Sequence, residues 1–165
     1  MPLHDVLDAE RVAILAHPGT RAAVLDAAAR LLARPSADPG SDAELARILG
    51  DRLHQREQLA STAIGHGVAI PHARLAGMDH TRGAFLRLTQ PVDFSAADRQ
   101  PVDLVLALAV PEHHVQQHLQ LLADLAESFA DPVWRARLRA ADSIQALHRT
   151  LLAPQQAAFV PGTSA

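Results

Sequence analysis

The chain of 165 residues has no cysteine and no tyrosine, and lysine and asparagine are absent as well. Without cysteine, disulfides, thiolate zinc sites, iron–sulfur clusters and cysteine nucleophiles are excluded. Without lysine there is no Schiff base, lysine general base or lysine phosphate ligand. An anion site must therefore use arginine, histidine, hydroxyls or backbone N–H groups. No apolar run approaches the ~20 residues that cross a bilayer. No basic segment followed by an apolar core opens the sequence, so a cytoplasmic location is expected. A net charge of -3 argues against a general nucleic-acid binder.

What is present is an ordinary globular composition, 48% hydrophobic and 20% charged, which argues against disorder. A compact domain of this length buries roughly 70% of the surface that its unfolded chain exposes, enough for a core. Ten histidines stand out in that background. The pattern predicts one α/β domain over residues 1–153, followed by a loose tail over 154–165. A short helix at Leu3–Leu7 and a strand from Val12 lead to the turn Pro18-Gly19-Thr20. A helix then follows with Val24, Leu25, Ala28, Leu31 and Leu32 at helical spacing. Ser41 with Glu44 three residues on suggests the N-cap of a second helix. Ala84–Leu88 alternates as a strand, and Leu104–Val110 is continuously apolar, as a central strand covered on both faces would be. Pro111 ends that strand. A long helix to about Phe129, one restarted at Pro132, and a last one over Ser143–Leu152 follow.

The histidines separate by position. Val68, Ile70 and His72 share one face of an extended segment, and Pro71 should stop sheet pairing, leaving His72 at the strand's end. Such a histidine either caps the strand or does chemistry at its rim, and spacing alone does not choose. On the helix after Pro111, His118 falls in the apolar arc of Val115, Leu119, Leu122, Leu125, Ala126 and Phe129. It should face the sheet near the C-terminal end of the central strand, where open α/β sheets hold ligands. The ordinary alternative is a core histidine satisfied by a carbonyl. His114 and His118 are four apart on one helix, a spacing that can chelate a metal. His113 lies on nearly the opposite side, His114 only at the edge of the arc, and no third ligand is evident, so no metal site is expected. His4, His17, His54, His80 and His148 fall in loops or on polar faces. Arg56, Ser61, Thr62, Gly65 and Gly67 precede His72 closely. A guanidinium, two hydroxyls and unhindered backbone N–H groups of that kind can receive an anion. No dinucleotide fingerprint, P-loop or serine-hydrolase elbow is present.

The run Arg56-Glu57-Gln58-Leu59-Ala60-Ser61-Thr62-Ala63-Ile64-Gly65-His66-Gly67-Val68-Ala69-Ile70-Pro71-His72 resembles the active-site segment of the fructose/mannitol-class enzyme IIA proteins. These belong to the bacterial phosphoenolpyruvate-dependent phosphotransferase system. Agreement continues through Gln100-Pro101-Val102-Asp103, Val110-Pro111 and His118-Leu119, and the pattern is most like the nitrogen-regulatory (PtsN-type) branch. The resemblance implies a mixed central sheet flanked by helices on both sides. It also implies that His72 accepts a phosphoryl group, with His118 as the second active-site histidine and Arg56 near the phosphate. His66 stands where the family often has Asn, and Asp103 matches without an evident role.

The expected function is that of a phosphoryl carrier loaded on His72 by a histidine phosphocarrier protein, without cofactor or metal. In the nitrogen-type branch its phosphorylation state would act on regulated target proteins. One alternative is a sugar-transport subunit passing phosphate to an enzyme IIB; another is a non-catalytic partner-binding domain. Neither nucleic acid nor membrane insertion is expected. A neutral imidazole can attack phosphorus, and its leaving group, another imidazole, makes the transfer reversible. An exposed apolar patch around His72 is expected to dock the partner and keep water from the phosphohistidine.

Overall fold

One strand, buried on both of its faces, organises the whole molecule. In a computed structural model describing residues 3–34 and 39–153, β6 (Val102–Pro111) is buried along nearly its whole length. Val105, Ala107 and Ala109 face one core, while Leu104, Leu106, Leu108 and Val110 face another. A strand apolar on both faces can only be satisfied by a layer on each side. Helices α1 (Arg21–Leu32) and α2 (Pro39–Leu59) supply one layer through Val24, Leu25, Leu49 and Leu53. The other comes from α3 (Val115–Phe129), α4 (Pro132–Ala140) and α5 (Ile144–Leu152), through Leu121, Phe129, Trp134, Leu138 and Leu147.

The sheet between them is mixed and six-stranded. Its remaining strands are β1 (Leu7–Leu15), β2 (Ala63–Gly65), β3 (Val68–Ala69), β4 (His72–Leu75) and β5 (Arg82–Val92). The order is β1-β5-β6-β3-β2, with β4 also beside β6. β5 runs antiparallel to β6, whereas β3 and β4 run parallel to it. Among the described residues no helix is long and apolar enough to cross a membrane. Residues 154–165, expected as a tail, lie outside the described residues.

Helix ends follow the capping signals in most places. Thr20, Asp131 and Ser143 each accept a backbone N–H of the first turn of α1, α4 and α5. Ser41 is not an N-cap: α2 already begins at Pro39, a residue whose fixed φ suits a first helical turn. Glu44 instead pairs with Arg47 one turn on, at 2.7 Å. The apolar arc expected for α3 is also rotated. His118, Leu121, Leu125 and Phe129 form the buried stripe, while Val115 and Leu119 remain 42% and 55% exposed. Their side of the helix faces away from the core.

Pro71 does not end pairing. Val68 lies opposite Leu104 and His72 opposite Leu108, so β3 and β4 are one strand in unbroken register, interrupted at Ile70-Pro71. Pro71 lacks only the donor; its carbonyl still accepts the Leu108 N–H at 2.9 Å. His72 therefore opens β4, on the face that Val68 and Ile70 turn toward α3.

Candidate active site

Three elements bring three side chains together at this point. His72 comes from β4, His118 from the first turns of α3 and Arg56 from the last turn of α2. The two imidazoles face each other with ring centroids 5.1 Å apart and planes tilted by 59°. Arg56 Nε–H donates to His72 Nε2 at 3.2 Å, and Arg56 Nη1 donates to the Ala60 carbonyl at 2.8 Å. On the far side of the ring, His72 Nδ1 lies 2.9 Å from the Ile70 carbonyl. A carbonyl only accepts, so Nδ1 carries the proton and Nε2 keeps the lone pair. The ring is thus held in one tautomer, with its nucleophilic nitrogen toward Arg56.

The electrostatics keep both rings neutral at neutral pH. Burial, above all, holds His72 below the usual imidazole value, with the Arg56 and Arg74 charges acting in the same direction and the Ile70 carbonyl opposing. His118 is pushed down to about 4, chiefly by burial, then by His72, Arg74 and Arg56. It is 5% exposed, and its Nδ1 is buried without a hydrogen-bond partner among the described residues. Beside it lies a cleft of about 330 Å³ lined by His118 itself with His80, His114, Val110 and Leu121. Neutral imidazoles and one or two guanidiniums suit a group that arrives with negative charge.

The other residues singled out in the sequence divide. The Ser61 hydroxyl donates to the Phe94 carbonyl and accepts the Ala63 N–H, so it anchors a loop. Thr62 is buried, with its N–H and hydroxyl both donating to the Glu57 carboxylate, at 2.9 and 2.6 Å. Gly65 and Gly67 are not brought to His72. They form the turn before Val68, and the four-residue step from Leu104 to Leu108 along β6 spans about 13 Å. Extended backbone turns closeness in sequence into distance. Gly67 has φ +77, and a Cβ there would come within 2.6 Å of Arg139 Nη2. That guanidinium explains Asp103: Arg139 grips its carboxylate at 2.9–3.2 Å and reaches the His66 carbonyl at 2.6 Å. His66 sits in the same turn at φ 58, a left-handed conformation that Asn tolerates better than His.

Sequence reasoning passed over two residues. Arg74 is exposed two positions after His72, on the same face of β4, and its carbonyl accepts from Arg52 Nη1 at 3.2 Å. Strand alternation from His72 was the available signal for it. Glu57, 5% exposed, was visible only as the neighbour of Arg56. Of the histidines expected in solvent, His54 pairs with Asp26 at 2.8 Å and His148 is half-buried. Among the described residues, no three His, Asp or Glu side chains are placed to hold a metal ion.

Comparison with known proteins shows the family and agrees with the fold. The family model described as "Phosphoenolpyruvate-dependent sugar phosphotransferase system, EIIA 2" matches residues 5–153. A nitrogen regulatory protein of Pseudomonas aeruginosa is 38% identical over 150 residues, which cover 91% of this chain and 94% of that one. The crystal structure of nitrogen regulatory protein IIA-Ntr from Neisseria meningitidis superposes with a TM-score of 0.77 at 35% identity, covering 90% of this chain and 98% of that one. The IIA mannitol structure from Escherichia coli shares the fold, with a TM-score of 0.67 at 20% identity over 87% and 97% of the two chains. With its mixed sheet between two helical layers and a family match spanning nearly its whole length, the chain belongs to the EIIA 2 family of the phosphoenolpyruvate-dependent sugar phosphotransferase system.

Proposed function

We propose that this EIIA domain carries a phosphoryl group on His72 Nε2, taken in the cytoplasm from the phosphohistidine of a histidine phosphocarrier protein. The observation that carries the reading is the tautomer: Nδ1–H is tied to the Ile70 carbonyl, so Nε2 carries the lone pair, which accepts from Arg56 at rest and attacks once that guanidinium turns to the phosphoryl oxygens. In the transfer an N–P bond forms at Nε2 as the donor's N–P bond breaks, and the donor imidazole leaves with the electron pair. His72 keeps its Nδ1 proton, and the Ile70 carbonyl disperses the positive charge that grows on the ring. Arg56, now donating to Nε2, would swing its guanidinium onto the arriving phosphoryl oxygens, and His118 would donate a hydrogen bond from the other side. The exposed Val115 and Leu119, on the helix that carries His118, supply an apolar rim for the donor.

The nitrogen regulatory relative, alike over almost its whole length, favours a regulatory role in which the phosphorylation state governs binding to target proteins. The alternative, delivery to an enzyme IIB during sugar uptake, uses the same chemistry. Incubation with phosphoenolpyruvate and the general phosphotransferase proteins should give an acid-labile, base-stable phosphate. Phosphorus–nitrogen NMR should place it on Nε2. His72→Ala should abolish labelling, and His118→Ala should slow transfer more than it weakens docking. Labelling that survives in His72→Ala, or phosphate on Nδ1, would overturn the assignment.

A further inference from the structure

Both ring nitrogens of His72 are set by one short loop, and that loop is fixed by a buried carboxylate. The chain of contacts starts at Glu57, whose two oxygens accept the Thr62 N–H and hydroxyl. The Thr62 carbonyl then accepts the Ile70 N–H at 3.0 Å, and the Ile70 carbonyl accepts His72 Nδ1–H at 2.9 Å. From the other nitrogen the path runs back through Arg56 Nε, and Arg56 Nη1 is moored on the Ala60 carbonyl of the same loop. Because Arg56 and Glu57 are adjacent in sequence, the ring of contacts closes through their shared peptide bond.

We infer that Glu57 and Thr62 are positioning residues for phosphoryl transfer, holding His72 in the Nδ1–H tautomer and aiming Arg56 at its Nε2. The inference rests on His72 being the phosphoryl acceptor. A carboxylate this deeply buried is costly unless it is fully used. Glu57 has two hydrogen bonds from one residue and an arginine, Arg21, only at 4.0 Å. An apolar side chain would fill the space with less desolvation. What an apolar side chain cannot do is accept from the amide and hydroxyl of Thr62 together, which pins at two points the residue whose carbonyl receives the Ile70 N–H. The hydroxyl of the Ser-Thr pair thus serves the site from behind: it orients the nucleophile and never touches the phosphate.

Two measurements on the same variants test this. Imidazole nitrogen NMR of the unphosphorylated protein reads the His72 tautomer directly, and rapid-quench kinetics with the phosphorylated donor read transfer. Thr62→Val removes the hydroxyl at nearly constant shape and should mix the two tautomers. It should also slow transfer at saturating donor about tenfold, with an unchanged KM, in line with the usual cost of losing an orienting partner. Thr62→Ser, which keeps the hydroxyl, should restore both. Glu57→Gln is the second variant, preserving packing while presenting an amide to the Thr62 donors; it should act in the same direction as Thr62→Val. A wild-type tautomer and transfer rate in folded Thr62→Val and Glu57→Gln would overturn the inference while His72 remained the acceptor. A wild-type chain that takes no phosphate on His72 would instead overturn the proposed function.

Discussion

Lowering the pH should destabilise this fold through His118, by an amount the structure sets. In the native protein the His118 pKa lies near 4, whereas in an unfolded chain it titrates at about 6.5. Between those values the unfolded state binds the proton and the native state does not, so stability falls as pH falls. The loss begins near pH 6.5 and is nearly complete at pH 4. At about 1.4 kcal/mol per pH unit, the total is about 3 kcal/mol, a large share of the 5–15 kcal/mol typical of a domain. Carboxylates and His72 also respond over this range, so the wild-type curve alone does not isolate the effect. His118→Gln does, because an amide does not titrate. Urea unfolding of both proteins from pH 7 to pH 4 should show the wild type losing about 3 kcal/mol more than the variant. With a slope of about 2 kcal/mol per molar urea, the gap between their midpoints should change by about 1.5 M. Two parallel stability curves would refute the reasoning, because they would mean that His118 protonates as easily in the fold as outside it.

Two further outcomes follow from the turn at residue 66 and the exposed face of α3. Gly67→Ala should lower stability by about 2 kcal/mol in thermal or urea unfolding, since it forces a side chain into a left-handed φ of +77 and against Arg139. An unchanged midpoint would mean that the turn readily adopts another shape. Leu119→Glu, at a position 55% exposed, should raise the KM for the phosphorylated donor several-fold with the melting temperature unchanged. A KM equal to that of the wild type would remove this face from the docking rim.

Legibility in the sequence depended on whether a residue's role is local. Leu104–Val110 declared a strand covered on both sides because an unbroken apolar run admits few other readings, and the structure places it at the centre of both cores. The segment from Arg56 to His72 carried the family resemblance, and its two ends do meet in space. What lies between them was not legible in the same way. Gly65 and Gly67 stand close to His72 in sequence, yet extended backbone carries them to the other end of the strand. Thr62 offered a hydroxyl, but only the fold shows Glu57 reaching it from α2. The phase of α3 was off because the helical wheel gives the relative angles of side chains but not the direction of the sheet. Leu119 belongs to the apolar arc and still faces outward. Asp103 found its partner 36 residues away, in Arg139, a pairing that no spacing rule anticipates.

The proposed phosphoacceptor site is also a statement about when the chain is finished. Arg56, His72 and His118 sit on α2, β4 and α3, on opposite sides of β6 or within its pairing, so no single supersecondary unit holds all three. A nascent or half-unfolded chain has the histidine but neither the fixed tautomer nor the guanidinium beside it. A phosphate mark placed on His72 would therefore be restricted to molecules whose sheet is closed on both faces. In a cell, the marked fraction would count only the properly folded copies, and a signal read from that mark would be insulated from the chaperone-bound and degrading pool.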